Sequence, residues 1–222
     1  MEAIQRFIFI FSVVPVAIAA LIGLARYRRL SLVQRFLLVL TLLALLVETI
    51  ARTLVHYKRP NLFLVPIDAV LEFTLLGLIY REALRPSRLS RLMPWLVGLF
   101  VLGSALTYSP RLDTVQFSPV QRFTESVLVL AFVGQFVHQE MTRPVVIPTL
   151  ERNPMFWVST GLLLYFSSSM FIFLTSNYVL LLSVEISQRV WAIHALLYIF
   201  LNMLYAVALS LPARQPPALD IT

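Results

Sequence analysis

Apolar residues in this chain do not alternate with polar ones. They run in long blocks, broken by short polar stretches rich in arginine and proline. A helix needs about 20 mostly apolar residues to cross the hydrocarbon core of a bilayer. The segments that meet this are Phe7–Ala25, Phe36–Leu54, Leu62–Tyr80, Leu92–Tyr108, Val120–Phe136, Met155–Leu174 and Val190–Leu211. The expected fold is therefore all-α, a polytopic membrane bundle of seven transmembrane helices. Pro15 is expected to kink the first helix, and Pro66 falls in the first turns of the third. The breaks "KRPN", "RPSR", "SPRLD" and "TRPVVIP" read as turns. The stretch Ser176 to Gln188 either extends the sixth helix or lies along the interface. No internal repeat of usable strength is visible, which leaves the inverted-repeat logic of many transporters without support.

These blocks define one domain, residues 1–211, followed by a tail, 212–222, whose prolines suggest disorder. The apolar run at the start has its arginines after it, at Arg26, Arg28 and Arg29, and no small-residue cleavage site stands out. It reads as a retained helix and not as a signal peptide.

Within the apolar blocks the polar positions follow helical spacing. On the last helix Ser187, Trp191, His194, Tyr198, Asn202 and Tyr205 step by three or four residues and form one face. Glu48 and Arg52 are four apart and can pair, as Asp68 and Glu72 are four apart on the third helix. Gln121, Glu125 and Gln135 lie near one stripe of the fifth, and Gly161, Tyr165 and Ser168 share a face of the sixth. An acid inside a bilayer costs about 2.5–3.5 kcal/mol on insertion scales, so such groups turn to the bundle interior and find partners. Glu48, Arg52, Glu72, Glu125, Tyr165, His194, Tyr198 and Asn202 are thus expected to line an interior polar site. Glu72 and Glu125 have no evident local cation. Asp68 lies toward the outer end of its helix, where water can reach it. Trp95, Trp157 and Trp191 read first as interfacial anchors. The bland alternative is that hydroxyls and amides only bond between helices, for about 0.6 kcal/mol each.

Composition agrees with a membrane protein. Of 222 residues, 59% are hydrophobic and 13% charged, against about half and a quarter in soluble domains; mean hydropathy is +0.84. The net charge of +7 would suit nucleic acid in a soluble domain. Here the basic residues fall between apolar blocks, as headgroup anchors do, and the partner they indicate is the lipid bilayer. Counted near helix ends, 11 arginines fall on the side of the first, third and fifth loops and the tail, and 7 basic residues on the other. The bias predicts an outside amino terminus and an inside carboxy terminus, with the protein multi-pass in the cell inner (cytoplasmic) membrane.

Chemistry is narrowed mostly by absence. With no cysteine, thiolate metal sites, disulfides and cysteine nucleophiles are excluded. Lys58, the one lysine, lies in a loop, so a retinal-type Schiff base has no nucleophile in the membrane. No HExxH, GxSxG or phosphate-cradling glycine loop is present. A metal-dependent lipid hydrolase would have to draw its ligands from Glu72, Glu125 and His194. No cofactor is indicated. A structural or assembly subunit remains a further alternative.

At "EFTLLGLIYREAL" (72–84), "NPMFWVSTGLLLYFSSSMFIF" (153–173) and "IHALLYIFLNMLYAVAL" (193–209) the chain resembles an uncharacterised family of small bacterial seven-helix membrane proteins. Their genes often lie near two-component sensor kinases, or their helices resemble the membrane part of such kinases. The likeness covers most of the chain, and its marks are Glu48, Glu72, Asn153–Pro154, Tyr165, His194 and Asn202. It implies a sensory or signalling module that acts through a separate cytoplasmic protein such as a sensor kinase. The short tail is expected to exclude kinase activity in the chain itself.

Overall fold

A computed structural model describes residues 8, 11–109, 112–113, 118–142, 150–181 and 183–212. Over these residues the chain is helical, with α1 Val13–Ala25, α2 Leu32–His56, α3 Leu64–Ala83, α4 Arg88–Thr107, α5 Pro119–Met141, α6 Pro154–Leu174, α7 Ser176–Leu181 and α8 Val184–Ser210. All but α7 overlap the expected apolar segments. Five of them (α2, α4, α5, α6 and α8) are long and apolar enough to cross a membrane. These apolar helices point to a membrane protein. α1 is described over 13 residues, and α3 carries Asp68, Glu72, Arg81 and Glu82.

Caps move several helix starts outward from the apolar blocks. α2 begins at Leu32 because Ser31 and Gln34 form a capping box. The Gln34 amide donates to Ser31 Oγ (3.3 Å) and the Ser31 amide to Gln34 Oε1 (3.0 Å). Gln34 then ties α2 to the end of α8, donating through Nε2 to the carbonyls of Ala208 (2.9 Å) and Leu211 (3.0 Å). Ser87 caps α4 and Ser183 caps α8. The ambiguous stretch after α6 resolves into the short α7 and the first turn of α8, which starts six residues before the expected Val190. Pro15 lies in the first turn of α1 as described, where its missing amide donor is not needed. α2 ends with Lys58 in the left-handed region (φ 52°), and the Arg59 amide reaches back to the Leu54 carbonyl (2.8 Å). This is a Schellman closure without its usual glycine. The expected disorder of the tail concerns residues that, from 213 on, lie outside the described ones.

Helix contacts form a ring. α1 packs on α2 and α8, α2 on α3, α3 on α5, α5 on α6, and α6 on α8. α4 packs chiefly on α3, outside the ring. It turns Leu92, Trp95, Leu99, Leu102 and Leu106 outward. Close packing of α6 on α8 is helped by Gly161, where an added Cβ would stand 2.9 Å from Leu201 of α8.

The ring has two unlike halves. One is filled: Phe73, Leu76, Ile79 and Tyr80 of α3 meet Phe132 of α5 and Leu162 of α6, all nearly inaccessible. Phe73 stacks on Phe132 with centroids 5.8 Å apart. The Tyr80 hydroxyl shares a 2.9 Å hydrogen bond with Ser159. The other half holds a cavity.

Candidate functional site

The cavity has a volume of about 490 Å³ and is walled by α2, α3, α5, α6 and α8, with Ser12 just before α1. Its lining includes the residues leading into α3 (Asn61, Leu62), the first turn of α8 (Ser187, Gln188) and the end of α6 (Phe173). It therefore opens toward the end of the bundle where α2 meets α3. Its floor is formed by Leu40 and Thr41 of α2 with Leu201 and Tyr205 of α8.

All six residues of the predicted α8 stripe, Ser187, Trp191, His194, Tyr198, Asn202 and Tyr205, line this cavity. Helical period alone puts them on one face, and the ring turns that face inward. Opposite them stand Glu48 of α2, Glu72 of α3 and Tyr165 of α6. The Tyr165 hydroxyl and His194 Nε2 share a hydrogen bond of 3.0 Å, and Phe173 and Trp191 set their ring centroids 5.1 and 5.7 Å from the His194 ring. Asn202 donates to the Tyr198 carbonyl at 2.9 Å, a bond within its own helix. Glu48 and Arg52 pair as expected, at 2.7 Å, with Arg52 also donating to Ser12, the residue before α1, at 2.9 Å.

The centre of the site is a residue absent from the expected set. Arg122, one turn into α5, is buried and holds three carboxylates. Its Nη2 meets Asp68 at 2.7 Å, and its Nη1 meets Glu72 at 3.0 Å and Glu125 at 2.9 Å. Nη2 also donates to the Val65 carbonyl at 3.2 Å, and the guanidinium lies 5.5 Å from the centre of the Phe173 ring. Gln121, the preceding residue, braces the first turn of α3 through the Pro66 carbonyl (3.1 Å) and reaches Ser104 of α4 (2.9 Å).

Four readings from sequence need correction. Glu72 and Glu125 do have a cation, and for Glu125 it is local, three residues back on the same helical face. Asp68 keeps 26% of its side-chain surface but is no isolated end group: it is a member of the cluster. Trp191 is part of the cavity wall and not only an interfacial anchor. Glu125 is fully buried behind Arg122 and is not among the lining residues, so it supports the site without facing the cavity. Gln135 also lies away from the lining.

The proposed metal set fares differently. Glu72 and Glu125 converge on Arg122 while His194 is bonded to Tyr165, and no group of three or more His, Asp or Glu side chains arranged to hold a metal occurs among the described residues. The reason is visible in the contacts. Arg122 stands where the carboxylates would hold a metal ion, and His194 is turned to Tyr165.

The residues that the expected site left out are Asp68 and Arg122, whereas Trp191 and Tyr205 stood on the α8 stripe but not in the expected site. Arg122 carried a signal: an arginine three residues before a glutamate inside an apolar block. Compared with protein-family models, with curated proteins and with solved structures, the chain matches none.

Proposed function

We propose that the chain is a sensory or signalling module of the cell membrane, and that it takes a small ligand into the interior cavity. The observation that carries this is the cavity itself. A purely structural bundle has no need of an open space of about 490 Å³, a volume within the range of about 300–1,000 Å³ typical of small-molecule sites. Its charged wall adds specificity that lipid-facing packing does not require.

In this reading all seven long helices cross the bilayer, with the amino terminus outside and the carboxy terminus inside. α3 crosses although it carries Asp68, Glu72, Arg81 and Glu82, because Asp68 and Glu72 belong to the interior. The mouth of the cavity then faces outward. Arg81, Arg85, Arg88 and Arg91 gather where α3 turns into α4, at the far end of α3 from the cavity mouth. That end offers a basic cytoplasmic surface to a separate protein such as a sensor kinase. Ligand entry would shift the ring helices and change this surface.

The chain has no cysteine of its own, which makes single-cysteine labelling direct. Ala44→Cys on the cavity wall should react with a membrane-impermeant thiosulfonate added outside, and Leu99→Cys on the lipid face of α4 should not. A spin-label pair placed at Arg28 and Arg88 should change separation when the cavity is filled. If Ala44→Cys is as inert as Leu99→Cys, the ligand-sensing reading fails. If interior substitutions lower stability and change neither readout, the chain is a structural subunit.

A further inference from the structure

We propose that the ligand is a small organic ammonium ion with an aryl-sized apolar body. Its charge would rest against Asp68 and Glu72, and its body against Trp191, Tyr198 and Phe173. This deepens the interior-site reading and rests on it.

Charge balance is the first argument. Glu48 is matched by Arg52. Asp68, Glu72 and Glu125 have only Arg122 among them. Formally, two negative charges are in excess inside an apolar bundle. An uncompensated buried charge is costly, and either a bound proton or a further cation relieves it. Both Nη atoms of Arg122 are committed to contacts already made, and among the described lining residues it is the sole guanidinium or ammonium group. Of the acids around Arg122, the two that face the cavity keep part of their surface open, 26% for Asp68 and 16% for Glu72. Room for a donor is therefore left at the atoms that need one.

The wall supplies the second argument. Tyr165, Phe173, Trp191, Tyr198 and Tyr205 surround the acids. Aromatic faces attract cations, and ammonium ions with apolar substituents suit such a cage better than hydrated metal ions do. Arg122 over Phe173 already uses this contact within the same space.

The third argument is independent of the acids. Tyr205 is buried, lines the floor of the cavity, and its hydroxyl has no hydrogen-bond partner. A buried hydroxyl normally finds one. A polar substituent on the far side of the ligand would supply it. An anionic ligand meets repulsion from Asp68 and Glu72, and a neutral one leaves the charge excess in place.

The test uses the full chain in nanodiscs. The probes are benzylamine, phenethylamine, tryptamine and benzyltrimethylammonium, with 2-phenylethanol as a neutral match and 3-phenylpropanoate as an anionic one. The readouts are thermal shift and protection of Ala44→Cys from labelling. At least one amine should saturate in both, and 2-phenylethanol should bind at least roughly tenfold more weakly, the scale of one cation–aromatic contact. Asp68→Asn and Glu72→Gln should each weaken the amine by about the same factor, and Leu102→Ala on the lipid face should not. If the alcohol or the acid binds as well as every amine, or both carboxamide variants bind amine like wild type, the ammonium assignment is overturned. If Ala44→Cys reacts but no amine protects it, the ligand class fails and the open interior stands. If Ala44→Cys does not react at all, both fail. Should one variant not fold, amine protection of Ala44→Cys in the otherwise unaltered chain still decides.

Discussion

The half of the ring around Tyr80 and the half around Arg122 are built from the same helices and solve opposite problems. Around Tyr80, α3 presents Phe73, Leu76 and Ile79 to Phe132 and Leu162, and the one hydroxyl in the middle is answered by Ser159. Around Arg122, about two turns earlier on α3, the same helix presents Asp68 and Glu72, and space replaces packing. Filling and satisfaction mark a half that holds the bundle together. Excess charge, an unmatched Tyr205 hydroxyl and an open volume mark a half that is incomplete alone. Polarity in a membrane helix therefore does not by itself signal function. What matters is whether the partners add up.

Substitutions can break or sharpen this contrast. The largest effect is expected from Arg122→Met, which leaves three carboxylates facing one another with no cation among them. Loss of one partner from a buried ion pair costs about 3–5 kcal/mol, so little folded protein should survive thermal unfolding in detergent. Phe132→Ala in the filled half should cost about 3 kcal/mol through the cavity it leaves. It should nonetheless leave Ala44→Cys labelling as in wild type, and a change there would mean the halves are not independent. Tyr80→Phe should cost about 1 kcal/mol, one hydrogen bond with Ser159, read as a small drop in melting temperature. Smallest of all should be Arg52→Gln. Arg52 and Glu48 lie on one helix and keep 37% and 28% of their side-chain surface, a geometry worth below about 1 kcal/mol. A large loss there would place that pair with the Arg122 cluster.

Membership of the site followed the same division between local and distant contacts. The α8 stripe was legible because a helix repeats every 3.6 residues, about, and six side chains at that spacing must share a face. The Glu48–Arg52 pair was legible for the same reason. Asp68 was misplaced because its cation lies 54 residues away on another helix, a distance no periodicity spans. Tyr205 was seen as part of a stripe, but its unmatched hydroxyl depends on what α2, α3 and α6 fail to offer it.

The sequence by itself determined the membrane character, the order of the long helices and the polar face of each, since these depend on apolar length and on residues three or four apart. Only the tertiary structure decided that six helices close into a ring with α4 left outside. It alone made Arg122 the shared partner of acids from α3 and α5. The physical reason is that faces are set by the local geometry of one helix. Neighbours, cavities and charge balance are set by how separate helices pack, and that information is spread across the whole chain.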